Sequence, residues 1–109
     1  MKASDLDTKD AGNFKYAALR DARMRNYAMS SSYSEAQKVA AERMKLVIEM
    51  VYSAKSIHVN YRKKFIAVKV EGAVVKDRKS LVLLEQDWDA LGYKKAVTDQ
   101  GVVYRIPKV

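Results

Sequence analysis

Cysteine is absent from this chain of 109 residues, which excludes a disulfide framework, thiolate metal ligands and a cysteine nucleophile. Proline occurs once, at Pro107, and the four glycines form no glycine-rich phosphate loop. The strongly apolar stretches are too short to span a membrane. No apolar run follows Lys2, so we expect no signal peptide and predict a cytoplasmic protein without a membrane partner.

The composition is typical of a globular protein rather than a disordered one. Hydrophobic residues make up 49% of the chain and charged residues 31%, a balance that allows a buried core with a solvated surface. The length predicts a single domain over residues 1–109. Residues 1–8 are polar, and we expect them to form a mobile N-terminal segment.

Apolar residues at helical spacing predict two helices in the first half of the chain. The first covers residues 10–29, and the second runs from about residue 35 to residue 54. Ser34 with Gln37 fits a capping box for the second helix, as does Ser32 with Glu35. The short connection between the two helices predicts an antiparallel αα-hairpin.

After Ser56 the apolar residues recur at about every second position, which indicates strands. The segment Phe65–Val70 is rich in β-branched residues, and Val74–Val75 would be a short return strand. A third helix would follow, capped by Ser80 and closed by Gly92. The run at 81–84 also fits a strand that leaves a short helix at 86–91, and of the two we favour the longer helix.

The last segment predicts a β-hairpin. Tyr93–Val97 and Val102–Ile106 alternate around a turn at residues 98–101, with Val102, Tyr104 and Ile106 on one face and Pro107 ending the strand. The fold class is therefore α+β, with an N-terminal antiparallel αα-hairpin packed on a small antiparallel sheet with a third helix. The predicted element order is α-α-β-(β)-α-β-β.

The ending joins a helix closed by Leu91-Gly92-Tyr93 to a hairpin closed by Tyr104-Arg105-Ile106. It resembles the C-termini of many small phage-encoded proteins, which often begin with an amphipathic helix and a short strand, as this chain does. The resemblance covers the chain from about residue 80 onward and implies a small accessory or host-interaction factor. The same ending also resembles the wing of a winged helix. Neither resemblance assigns a functional residue.

Positive charge is concentrated in residues 55–79, which hold eight Lys/Arg and two acidic residues. The other segments are closer to balance, with nine basic and seven acidic residues in 1–54 and four of each in 80–109. The basic window therefore accounts for most of the net charge of +8. The residues that we predict to contact an anionic partner are Tyr61, Arg62, Lys63, Lys64, Phe65, Lys76, Arg78 and Lys79.

This window combines the two chemistries of nucleic-acid binding, because cations neutralise phosphates and exposed rings accept stacked bases. We therefore predict a non-enzymatic accessory protein that binds DNA or RNA. On one continuous strand, alternation would place Lys63 on the face of Tyr61 and Phe65, a conflict that a hairpin tip or a bulge removes. The competing interpretation is that both rings are core residues and the cations solvate an edge strand.

The sequence also favours two other partners. The basic window would steer the protein onto an acidic surface of a host or partner protein, with affinity supplied by an apolar patch. A third hypothesis is a small phosphorylated ligand held by Arg25 and Arg43, because guanidinium groups bind phosphate bidentately. The alternative for these arginines is an ion pair with Asp21. If exposed, Tyr16 and Tyr27 would mark a homo-oligomer interface.

No set of residues in the chain has the pattern of a catalytic site. His58 is the only histidine, and no acid or base nearby in sequence would orient it. Glu85 and Asp89 share a helical face and could bind a divalent ion, but a nuclease site needs more converging groups than these two. We therefore favour a solvated helix face for them. We therefore predict no enzymatic activity, no metal site and no cofactor.

Overall fold

The computed structural model describes residues 20 and 23–108, which form an antiparallel sheet with helices packed on one of its faces. Residues 23–30 are helical and are called α1, and the second helix, α2, spans Glu35–Val51. The elements that follow are β1 (Tyr52–Ser53), β2 (Ser56–Tyr61), β3 (Phe65–Glu71), β4 (Val74–Val75), α3 (Arg78–Ala90), β5 (Lys94–Thr98) and β6 (Gly101–Pro107). The predicted α+β class is confirmed, and the part of the first predicted helix that precedes residue 23, Arg20 apart, lies outside the described residues.

The predicted capping box starts α2. The Ser34 hydroxyl accepts a hydrogen bond from the Gln37 backbone N–H at 3.2 Å, and the Gln37 side chain accepts one from the Ser34 N–H at 3.3 Å. The helix ends at Val51 and not near residue 54, because Tyr52 turns to an extended conformation and pairs with Val75 in the short β1–β4 ladder. The buried side chains of α2 are Ala41, Met44, Ile48 and Val51.

The segment at 81–84 is helical, so the strand alternative is wrong. The cap of α3 is Asp77 and not Ser80, because the Asp77 carboxylate accepts hydrogen bonds from the Ser80 N–H at 3.1 Å and the Ser80 hydroxyl at 2.8 Å. These bonds stabilise the charged form and lower the pKa of Asp77. At the other end, Gly92 follows the C-cap Leu91 with a φ of +85°, as predicted.

The main sheet has four strands in the order β2-β3-β6-β5, and every neighbouring pair is antiparallel. The predicted final hairpin is present, although its first strand spans Lys94–Thr98 and so begins one residue later than predicted. Val102, Tyr104 and Ile106 share the buried face, as predicted. The helices cover this face, and the core between the two layers includes Ile48, Val51, Ile66, Val68, Val70, Leu81, Trp88 and Tyr104.

A buried hydrogen-bond chain links α3 to the sheet. The Tyr104 hydroxyl donates to Glu85 at 2.7 Å and lies 2.8 Å from the Tyr52 hydroxyl, while Lys95 pairs with the same carboxylate at 2.7 Å. Burial, together with the bonds to Tyr52 and Glu85, raises the pKa of Tyr104, so its hydroxyl remains a neutral donor. Because Tyr104 gives its proton to Glu85, Tyr52 donates to the Tyr104 oxygen.

Gly101 and Gly92 provide a matched test of backbone packing. A Cβ at Gly101 would lie 2.0 Å from the Val70 carbonyl oxygen in the neighbouring strand, whereas a Cβ at Gly92 meets nothing within 4 Å. We expect Gly92→Ala to destabilise the fold by about 1–2 kcal/mol through its positive φ alone, and Gly101→Ala to destabilise it more. Chemical denaturation of both variants measures the difference, and equal losses would contradict the close approach of β3 to Gly101.

Candidate functional site

Arg62, Lys63 and Lys64 form the loop between β2 and β3, which we call the tip. Tyr61 pairs with Ile66 at the end of the ladder, and the Arg62 N–H donates to the Phe65 carbonyl at 2.9 Å to close the turn. All three tip side chains are exposed. The hairpin tip, one of the two predicted ways to keep Lys63 out of the core, is thus confirmed. All three adjacent cations of the tip reach solvent.

The tip is held from both sides by hydrogen bonds to its backbone. Tyr33, which is buried at the start of α2, donates its hydroxyl proton to the Arg62 carbonyl. The Lys108 N–H donates to the Lys64 carbonyl at 2.9 Å, and the Lys108 ammonium lies 5.0 Å from the centre of the Tyr33 ring. These contacts fix the backbone of the tip against the domain, so its charges are presented from a supported loop.

The two rings that flank the tip lie on opposite faces of the sheet. Tyr61 points toward the helices, where its ring centre lies 5.7 Å from that of Tyr33, and burial is the main cause that raises its pKa. Phe65 points the other way and stays partly exposed, with the Arg105 guanidinium carbon 4.9 Å from its ring centre. Of the two predicted stacking rings, the structure therefore places only Phe65 on the side without helices.

The face of the four-stranded sheet opposite the helices is called the open face. Cross-strand pairing places two rows on it, His58–Lys69–Val103–Ala96 and Asn60–Ala67–Arg105–Lys94, with Phe65 beside the second row. The two central strands therefore place the apolar Ala67 and Val103 beside the cations Lys69 and Arg105 in the middle of this face. Together the tip and the open face carry one carboxylate, Glu71, against the six cations Arg62, Lys63, Lys64, Lys69, Lys94 and Arg105.

Two grooves meet at the tip. The first, of about 290 Å³, runs over the open face and is lined by Asn60, Arg62, Phe65, Ala67, Lys69, Thr98, Gln100, Val103 and Arg105. The second, of about 450 Å³, lies between α1 and the edge of β2 and is lined by Arg25, Asn26, Met29, Asn60, Tyr61, Arg62 and Lys63. Because Asn60 and Arg62 line both grooves, the two form one path around the edge of the sheet.

Asn26 fixes the second groove through two hydrogen bonds to the backbone of β2. Its side-chain oxygen accepts from the Tyr61 N–H at 2.6 Å, and its side-chain nitrogen donates to the Val59 carbonyl at 3.4 Å. A residue of a parallel neighbouring strand would make the same pair of bonds. The amide therefore occupies backbone groups at the outer edge of β2 and attaches α1 beside the tip.

The other cations of the basic window lie away from the tip. Lys76 precedes α3 in the chain and lies beside the C-terminal end of α2, where its N–H donates to the Val51 carbonyl at 2.8 Å. Arg78 and Lys79 are the first two residues of α3. The tip lies near the other end of α2, as the bond from Tyr33 to Arg62 shows. A helix of 17 residues is about 25 Å long, so the predicted binding residues form two separate basic clusters.

The proposed arginine pocket is not assembled. Arg25 lines the groove beside α1, but Arg43 is exposed on α2 and is not among the residues that line either groove. On a helical wheel Arg43 falls among the apolar residues of α2, but that apolar side is wider than the buried stripe, and Val39 and Leu46 are exposed as well. Asp21, the partner in the alternative ion pair, lies outside the described residues, as does Tyr16. Tyr27 is 81% exposed.

Four polar residues of the open face, Asn60, Lys69, Lys94 and Arg105, were not predicted from the sequence as part of the candidate site. One signal was present for Arg105, since alternation with Tyr104 and Ile106 directs it away from the core. The proximity of Arg105 to Phe65 depends on the pairing of β3 with β6, whose partners are between 30 positions (Glu71 with Gly101) and 42 positions (Phe65 with Pro107) apart in the chain. The local sequence pattern around Arg105 does not specify the register in which β6 pairs with β3.

Comparison of the chain with protein-family models, with curated proteins and with solved structures gives no match. Among the described residues, no helix has the length and apolar character needed to cross a membrane. The same part of the chain brings no three His, Asp or Glu side chains together in a way that would hold a metal ion.

Glu71, the carboxylate of the open face, provides a pH test of this geometry. The Ser56 hydroxyl donates to it at 3.2 Å and Lys69 lies 3.5 Å away, and these contacts, the serine bond first, lower the pKa of Glu71. The stability they contribute is complete above the pKa of an unfolded glutamate and is lost as the pH falls through the lower folded pKa. We expect Ser56→Ala and Lys69→Met each to raise the pKa of Glu71, as measured by NMR titration of its side-chain carboxyl. An unchanged pKa in Ser56→Ala would contradict the hydrogen bond.

Proposed function

We propose that this protein is a non-enzymatic nucleic-acid-binding protein whose contact surface is the tip together with the open face. The observation that carries the proposal is a groove lined by three cations, Arg62, Lys69 and Arg105, together with one partly exposed aromatic ring, Phe65. Lys63 and Lys64 of the tip and Lys94 of the open face add three further cations to the same surface. Phosphates bind cations through charge and counterion release, and bases bind rings through stacking. The tip and the open face offer both cations and an aromatic ring on one surface.

The distribution of charge over the fold supports the same surface. Helix α2 carries three basic and three acidic residues, and α3 carries two basic and three acidic ones. Helices α2 and α3 are thus close to neutral, while the tip and the open face are strongly positive. A polyanion would approach the sheet side first, because the local field adds where cations of one sign are grouped.

The two basic clusters allow a charge-matched test. We expect the triple variant Arg62→Ala, Lys63→Ala, Lys64→Ala to bind labelled oligonucleotides more weakly and to reduce the slope of log affinity against log salt by about 2 to 3 for three lost phosphate contacts. The triple variant Lys76→Ala, Arg78→Ala, Lys79→Ala removes the same charge from the other cluster, and we expect its slope to stay close to that of the wild type. Fluorescence anisotropy over a salt series measures both.

Two results would contradict the proposal. Equal loss of affinity in the two triple variants would show that net charge alone governs binding and that the tip is not a site. Absence of binding to every oligonucleotide at low salt would remove nucleic acid as the partner. Thermal unfolding of both variants serves as the control, because all six substituted side chains are exposed and should leave the melting temperature nearly unchanged.

The second basic cluster favours a different candidate, docking of an acidic protein segment. It borders an apolar groove of about 320 Å³ between α2 and α3, lined by Val47, Met50, Val51, Asp77, Ser80, Leu83 and Leu84. Met50 is 73% exposed and Leu83 is 62% exposed, which is unusual for adjacent large apolar side chains. Cations beside an exposed apolar groove match an amphipathic acidic segment, with charge steering the encounter and apolar burial supplying affinity.

This candidate predicts a protein partner that the nucleic-acid variants do not affect. After nuclease treatment, a stoichiometric acidic partner should remain bound to the wild type and to the tip variant. It should be lost from Leu83→Glu and weakened by the triple variant at Lys76, Arg78 and Lys79. A partner retained by Leu83→Glu would rule out the groove between α2 and α3 as its docking site.

A further inference from the structure

The groove on the open face has the dimensions and the polarity of a base-binding surface. Its lining combines three apolar side chains, Ala67, Val103 and Phe65, with cations and side-chain amides. Pairing across the sheet brings the two kinds together, because Asn60, Ala67 and Arg105 lie in one row. A nucleobase has an apolar face and a polar edge, so the apolar side chains suit the face and the cations and amides suit the edge.

Phe65 and Arg105 form the stacking element of this groove. The guanidinium carbon of Arg105 lies 4.9 Å from the centre of the Phe65 ring, within the range of cation–π contact. Both groups are planar, and each binds the face of an aromatic base. Tyr61 is not available for this role because it packs against Tyr33 beneath the helices.

Single strands expose the base faces that such an element needs, whereas a duplex hides them within its own stack. Duplex grooves are read by a helix or by a two-stranded ribbon that enters them. Here the cations lie on a supported tip of three residues and along a groove in a sheet, and the ring sits within that groove. This arrangement matches a strand laid across a surface more closely than it matches an element inserted into a duplex.

We infer that the ligand is single-stranded nucleic acid, with one base stacked at Phe65 and Arg105 and with phosphates on the tip and on Lys69. This inference rests on the proposed function and names its substrate class. The strand continues around the edge of β2 into the second groove, because Asn60 and Arg62 line both grooves and Arg25 and Lys63 extend the second one. The duplex becomes the weaker ligand, held by phosphate contacts alone.

The test compares three labelled probes of about 15 nucleotides, a length near the upper range for one sheet-based binding domain. The probes are a single strand of thymidines, a chain of abasic sites with the same number of phosphates, and a duplex of mixed sequence. A strand of uridines extends the comparison to RNA. We expect the wild type to bind the thymidine or the uridine strand more tightly than the abasic chain and the duplex at the same salt concentration.

Variants of Phe65 separate stacking from charge. We expect Phe65→Leu to weaken binding of the single strand by roughly fivefold to a hundredfold and to leave binding of the abasic chain unchanged. Phe65→Tyr keeps the ring and should restore most of the affinity. Because Phe65 is partly buried, thermal unfolding of Phe65→Leu checks the fold, and Arg105→Ala at an exposed position provides a second route to the same stacking element.

The outcomes distinguish this inference from the function on which it rests. Equal affinity for all three probes, with no effect of Phe65→Leu, would overturn stacking while leaving phosphate binding by the tip in place. Tighter binding of the duplex would overturn the single-strand assignment. Failure to bind any probe at low salt would overturn both the inference and the proposed function, and would leave docking on an acidic protein as the remaining candidate.

Discussion

The pairing of β3 with β6 is the contact on which the rest of this structure depends. It joins residues 30 to 42 positions apart, places Val68 and Tyr104 together beneath the helices, and brings Arg105 over Phe65 on the other side. One ladder therefore builds both the core and the candidate site. Gly101 is part of the same constraint, because only a residue without a side chain lets β6 begin so close to the Val70 carbonyl.

The fold divides a basic stretch that is continuous in sequence. The β2–β3 hairpin places the tip near the N-terminal end of α2. The chain then returns along β3, so Lys76 lies beside the C-terminal end of α2, just before α3 begins at Arg78. Cations from elsewhere join the tip instead, Arg105 from β6 and Arg25 from α1. Topology, more than local sequence, decides which charges act together on a ligand.

Features set by neighbouring residues were predictable from the sequence, and those set by distant pairing were not. The capping box of Ser34 and the role of Gly92 follow from interactions within four residues, and both are confirmed. The predicted cap of α3, Ser80, lies three residues after the observed cap, Asp77. Both are good capping residues, but it is the Asp77 carboxylate that accepts hydrogen bonds from the Ser80 N–H and the Ser80 hydroxyl. The positions of Tyr61 and Arg105 depend on the hairpin and on β6, which periodicity along one strand does not determine.

The amide of Asn26 has a consequence for the solubility of the protein. A strand at the edge of a sheet presents unpaired N–H and C=O groups, to which another chain can add a strand and so begin a fibre. At β2 the side chain of Asn26 already makes the bonds that an added strand would make with Val59 and Tyr61. The Asn26 side chain therefore blocks strand addition at this part of the β2 edge, where the path formed by the two grooves turns around the sheet.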